Sequence, residues 1–225
     1  MTTLLKALQA LGHWTADQWG LVTTAQARQD GITANHLHRL SQAGLLDHAG
    51  HGTYQLTGAP TPRHLKLKVA WLRLDPATPA WQRLLDHSDS GVVSHASACQ
   101  LHELGDLPIG IIEITTPRRR TARDRGTRLH TASLPRDDIT IVDGLPVTTP
   151  ARTILDLLQA PTDGGHVGGV LVDAAELCLI DVAGFAARAL PLAESYGLPP
   201  TATGRQFLDY LAAQAGQQMP RCCHR

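Results

Sequence analysis

The chain has 225 residues, 43% of them hydrophobic and 18% charged. That composition excludes wholesale disorder, and the length suits one large domain or two small ones. Twenty basic residues balance 20 acidic ones, which argues against a strongly cationic nucleic-acid binder, and no run approaches the ~18 apolar residues of a membrane span.

Four cysteines with no Cys-x-x-Cys pair exclude a disulfide scaffold and a zinc ribbon, and make the cytoplasm the expected compartment. The neutral total hides an uneven distribution. Residues 1–60 hold 3 basic and 3 acidic side chains, residues 61–136 hold 12 and 7, and residues 137–225 hold 5 and 10. A basic middle is followed by an acidic end.

In chain order, Met1 to Leu11 carries an amphipathic Leu4/Leu5/Leu8/Leu11 pattern rather than a signal peptide. Residues 24–30 predict a short helix ended by Gly31. Ile32 to Leu45 predicts a second helix with full punctuation. Thr33 is placed at the N-cap, Ile32 and Leu37 at the spacing of a hydrophobic staple, Gly44 at the left-handed C′ position, and Leu45 against Leu40. Leu45-Leu46, the Ala49-Gly50-His51-Gly52 loop and Thr53–Leu56 then predict a hairpin. Helix, tight turn, helix and hairpin is the order of a winged helix-turn-helix, completed here by Trp14, Trp19 and Val22 from an earlier helix.

The Gly/Pro-rich stretch Thr57–Pro62 marks the first boundary. It sets a winged-helix domain at residues 1–60 and a mixed α/β domain at 62–225, whose tail is helical from about residue 166. The fold class expected is therefore α/β (α+β). Within the second domain the pattern predicts a strand at 91–93, a helix from Ser94 to Leu104 with Ser94 as its cap, and a strand at 109–115. Strands at 139–142 and 145–148 flank Asp143-Gly144, a strong hairpin signal. Thr149-Pro150 opens a helix, and further helices are expected at about 166–177, 182–190 and 204–213.

Two groups of residues suggest chemistry. Stepping ~100° per residue from Leu37 puts His38, Gln42, Asn35 and Arg39 at about 100°, 140°, 160° and 200°, on one outer face of the predicted 33–43 helix. Asn and Gln pair bidentately with adenine, and Arg with guanine, in a major groove. Thr33 and His36 flank that face, and His51 stands in the wing. The second group is Arg118, Arg119, Arg120, Arg123, Arg125 and Arg128 in an eleven-residue loop, a patch suited to phosphate or to an acidic partner.

The histidines lack metal-ligand spacing, so no metal and no cofactor are expected. No nucleophile elbow, phosphate loop or HExxH motif is present, and an enzyme is not expected. Glu113 stands two residues before Thr115, where a nuclease carboxylate would be followed by lysine, so strand-edge or partner pairing is its expected role. Cys99 and Cys178 read as buried small hydrophobes. Cys222-Cys223-His224 lies at the terminus.

These residues carry a resemblance. V-T-T-A-Q-A-R-Q-D-G-I-T, R-L-S-Q-A-G-L-L and G-T-Y-Q-L in the N-terminal part resemble the winged helix of AbiEi-type antitoxins. S-G-V-V-S-H-A-S-A-C-Q-L-H-E-L-G and, most specifically, D-G-L-P-V-T-T-P-A-R-T-I-L-D-L-L at 143–158 resemble the same family's second domain. The resemblance implies a DNA-binding antitoxin of a type IV toxin–antitoxin system. Such a protein binds inverted repeats in double-stranded operator DNA, represses its own operon and counters a nucleotidyltransferase-like toxin without necessarily touching it. The chain departs from the family at His51, where the wing usually carries arginine. The alternative is an RNA- or protein-interaction module acting through the Arg118–Arg128 loop, with a degenerate winged helix.

Overall fold

The computed structural model describes residues 3–85, 90–108, 110–122, 125–160 and 162–220. The chain divides into two units, Met1–Gly91 and Val92–Arg225.

The first unit opens with α1, Thr3–Ala16. Ala7 and Leu11 are buried and Trp14 half-buried, at spacings of four and three that make one apolar stripe. Trp19 and Gly20, both at positive φ, turn the chain into β1, Leu21–Thr23. Thr23 caps α2, Thr24–Gln29: its hydroxyl accepts from the Gln26 N–H, and the Gln26 side chain accepts from the Thr23 N–H, a capping box. After the turn comes α3, Ala34–Gln42.

β2, Leu46–Gly50, and β3, Thr53–Leu56, complete a three-stranded antiparallel sheet in the order β1-β3-β2. Two helices follow, α4 at Leu65–Leu72 and α5 at Ala80–Leu85. Leu11, Val22, Ala27, Ile32, Leu37, Leu40 and Leu46 form the core between helices and sheet. Val22 and Trp19 therefore stand on a strand and in a turn rather than on the first helix, as the sequence suggested. A three-residue strand, buried throughout, shows no alternation to read.

The Thr57–Pro62 breaker lies inside this unit, and α4 and α5 stand on the unit's side of the division. Side-chain hydrogen bonds tie the segment leading into α5 to this unit. Gln18 and Gln26, both buried, exchange side-chain hydrogen bonds of 2.9 and 3.0 Å. Gln18 Oε1 accepts from the Ala80 N–H at 2.9 Å, Gln29 Nε2 donates to the Ala77 carbonyl at 2.8 Å, and Thr23 donates to the Pro76 carbonyl. Residues 76–80 are thus bonded to α2, to its cap Thr23 and to the turn before β1.

The second unit holds a mixed sheet in the order β6-β5-β4-β8-β7. Its strands are β4, Val92–Val93; β5, Ile112–Thr116; β6, Thr127–Thr131; β7, Ile139–Val142; and β8, Leu145–Thr148. β4 runs parallel to β8, and β5 to β6. Asp143 and Gly144 both have positive φ, the type I′ geometry that suits a two-residue hairpin.

Helices α6, His95–His102; α7, Pro150–Gln159; α8, Gly164–Glu176; α9, Val182–Ala189; and α10, Gly204–Gln214 supply most of the core. A Cβ on Gly168 would stand 2.0 Å from the Leu211 carbonyl oxygen, so α8 and α10 approach as closely as a missing side chain allows. The helices fall where the apolar spacing predicted them. Cys99 is buried, but Cys178, just past the end of α8, is exposed rather than buried as expected.

Candidate nucleic-acid interface

α3 is held by local contacts at both ends. The Thr33 hydroxyl accepts from the His36 N–H at 3.4 Å, and His36 Nδ1 accepts from the Thr33 N–H at 3.3 Å. At the other end the Gly44 N–H reaches the Ser41 carbonyl and the Leu45 N–H the Leu40 carbonyl, each at 3.0 Å. Those two bonds are the Schellman pair, and Gly44 takes the required positive φ of +68°. Ile32 and Leu37 are both buried, as a staple requires.

With Leu37 and Leu40 inward, Asn35, His38, Arg39 and Gln42 are exposed together. Their side chains make no hydrogen bond or ion pair among the described residues, so each is open to an outside partner. Thr33 and His36 are engaged in the cap, which gives them a role besides any phosphate contact. The wing is a short His51-Gly52 turn carrying an exposed His51. Its Gly52 carbonyl accepts from the Thr24 N–H at 2.8 Å, which ties the wing to the start of α2.

The arginine window lies between β5 and β6, as expected of a loop, except that Arg128 stands on β6 itself. Arg118, Arg119, Arg120, Arg125 and Arg128 are exposed. Arg123 lies outside the described residues, as do Cys222, Cys223 and His224.

Glu113 has a fuller role than the sequence suggested. Its Oε2 accepts from the Ala96 N–H at 3.1 Å in the first turn of α6. Its Oε1 stands 3.0 Å from His130 Nε2 and 3.5 Å from an Arg128 nitrogen. The carboxylate is therefore the helix cap, a placement the helix dipole favours. Ser94 sits at the N-cap position, but its hydroxyl makes no capping bond; it accepts instead from the Thr115 hydroxyl at 2.8 Å and meets His95 Nδ1 at 3.0 Å.

The His95 ring stacks on His130 with 3.7 Å between centroids. Burial, then the neighbouring His130, pushes the His95 pKa down to about 4. Burial alone would raise the Glu113 carboxyl, but the His130 hydrogen bond, His95 and the Ala96 N–H outweigh it and hold it below the usual carboxylate range. Nearby, Arg152 bonds Asp156 at 2.7 Å and Asp138 at 3.1 Å, and Asp138 also takes Arg188 at 2.9 Å. The sequence had no signal for the meeting of His95, Glu113 and His130, which come from three elements 17 and 18 residues apart; only Arg152 and Asp156 show their i,i+4 spacing in advance.

Residues 9–57 match the family described as transcriptional regulator, AbiEi antitoxin, and residues 90–170 match the AbiEi antitoxin C-terminal domain. The two matches together span more than half of the chain, one in each unit, and the chain belongs to the AbiEi-type antitoxins. No curated protein matches it. A crystal structure of RV2827C protein from Mycobacterium tuberculosis is similar in fold. It shares 15% identity and a TM-score of 0.50, covering 96% of this chain and 78% of that one. No helix among the described residues is long and apolar enough to cross a membrane.

Proposed function

We propose that this antitoxin regulator binds double-stranded operator DNA by laying α3 in the major groove, and that it represses its own operon. In this reading Arg39, Asn35 and Gln42 read base edges, while Thr33, His36, His38 and His51 lie toward the backbone. The observation that carries it is the α3 face itself. Four polar side chains, three of them with base-reading chemistry, are exposed, mutually adjacent and unbonded among the described residues, on a helix whose two caps and staple fix its length.

The same reading makes the protein the non-enzymatic antidote to a nucleotidyltransferase-like toxin. The exposed arginines of the β5–β6 connection favour one addition, a phosphate or partner contact made by the second unit. The test is a gel-shift against the gene's own upstream region. A specific complex is expected, and Arg39→Ala should weaken it by ~1–3 kcal/mol, the worth of one bidentate base contact. An unchanged affinity and footprint in that variant would overturn the assignment of α3.

A further inference from the structure

The first unit contains a second feature unrelated to α3's outer face. A cleft of about 390 Å³ is lined by His13 and Trp14 of α1, Gln29 of α2, and Pro79, Trp81 and Gln82 at the start of α5. That volume lies in the range of small-molecule sites. Its walls are fixed from behind. Trp14 Nε1 donates to Asp30 Oδ2 at 2.6 Å, and His13 Nε2 stands 3.6 Å from the same oxygen. Gln29 Nε2 donates to the Ala77 carbonyl at 2.8 Å, and the buried Gln18–Gln26 pair holds residues 78–80 in place.

Trp81 is what needs explaining. Trp71 is fully buried, and its indole N–H donates to the Gly91 carbonyl. Trp81 is 55% exposed, with its ring forming one wall of the cleft. A wide apolar ring kept in water at a cleft's edge is suited to a flat partner, because π-faces stack on one another. The carboxamide of Gln82 offers both a donor and an acceptor at the rim. Among the described residues no lysine or arginine lines the cleft, and the Asp30 carboxylate lies behind Trp14. An anion there would meet only the His13 imidazole, which already stands beside the Asp30 carboxylate, whereas aromatic faces attract cations.

We propose that this cleft is a binding site for a planar nitrogen heteroaromatic molecule, neutral or cationic, stacked on Trp81 beside Trp14. The two indole rings and two amides match the flat shape and the few in-plane hydrogen bonds of such a ligand. The site is independent of DNA and of the reading given to α3.

The test uses the ¹⁵N-labelled full chain without DNA, titrated with N-methylquinolinium and, as the anion of similar shape, quinoline-2-carboxylate. The indole N–H signals of Trp14 and Trp81 should move with N-methylquinolinium while that of Trp71 stays still. Quinoline-2-carboxylate should bind at least tenfold more weakly. Trp81→Ala should weaken N-methylquinolinium at least tenfold and Trp81→Phe by less, with an unmoved Trp71 signal showing that both variants are folded. Absence of shifts at millimolar probe, equal binding of the carboxylate, or undiminished binding by Trp81→Ala would each overturn the proposal. So would a Trp81 signal that moves with protein concentration alone, which would make a second copy the occupant.

Discussion

The two units treat their polar side chains in opposite ways. In the first, α3 turns Asn35, His38, Arg39 and Gln42 outward and bonds none of them among the described residues. In the second, His95, Glu113, His130, Asp138, Arg152 and Asp156 turn toward one another, and all but His130 and Arg152 have at most 8% of their surface exposed. Such groups lose hydration when buried and regain it only from partners within the fold. The outward set is therefore free to meet an external ligand without disturbing the structure. The inward set is occupied with the structure itself, and changing it should first cost stability. The contrast yields predictions that separate stability from recognition.

The largest effect is expected at Arg152. Arg152→Met would leave the buried Asp138 and Asp156 carboxylates without their shared cation. Asp156 Oδ2 already lacks a hydrogen-bond partner among the described residues. Breaking a buried pair by removing one partner costs ~3–5 kcal/mol, and Arg188, still beside Asp138, sets the expectation at the lower end of that range. Chemical denaturation measures it. A loss below ~1 kcal/mol would mean the inward network is ornamental and the contrast false.

Acid should come next. His95 is neutral in the folded state, with a pKa near 4 set by burial and by His130. An unfolded histidine gains its proton near pH ~6.5. Between those values the unfolded chain binds more protons, so stability falls as pH drops from ~6.5 toward 4. The span corresponds to an upper limit of ~3 kcal/mol. Glu113, with its pKa lowered, acts in the same direction at more acidic pH, since its stabilisation is lost as pH falls through the folded value. Thermal midpoints across pH 7 to 4.5 should decline in the wild type. They should decline less in His95→Asn, a residue that tolerates the positive φ found at this position. Parallel curves would sink the assignment.

Much of this fold was legible because its signals are local. The caps of α3, the staple and the Schellman glycine are spaced by three to five residues, and the structure places each as the spacing predicted. Asp143-Gly144 and Thr149-Pro150 were equally direct. β1 was not legible, since three buried residues carry no period. Nor were α4 and α5: α4 is buried along six of its eight residues, so it shows no polar face to give the helical period away. Glu113 was singled out, but its roles as cap and histidine partner depend on β5 lying beside both α6 and β6, a juxtaposition made by topology. The outward face of α3 could be read from helical geometry alone, while the inward network needed the tertiary fold.

A smaller effect tests how firmly the outward face is presented. Gly44 has open space around its Cβ position, so only its backbone conformation constrains the site. Gly44→Val would put a β-branched residue at φ near +68°, costing more than ~1 kcal/mol. If α3's cap orients the base-reading side chains, operator affinity should fall in step. A thermal midpoint equal to wild type would remove the Schellman cap from the account.

The smallest effect is expected where the contrast is least complete, in the arginines between β5 and β6. They belong to the second unit yet point outward, and Arg128 does both, exposed while reaching Glu113. If the loop touches DNA, replacing Arg118, Arg119 and Arg120 with serine should leave operator preference intact, because phosphate contacts position a protein without reading bases. The salt dependence of binding should then flatten by about one unit of slope per lost contact. If the loop serves toxin neutralisation instead, the slope should hold while rescue of cells expressing the toxin fails. Each outcome assigns the loop to one partner within a single variant. Should slope, affinity and rescue all match wild type, the arginines are a hydrated surface, and outward orientation by itself would no longer suffice to mark a recognition site in this chain. The case for α3 would then rest on its pairing of the Asn35 and Gln42 amides with Arg39, amides that the arginine loop lacks, rather than on exposure.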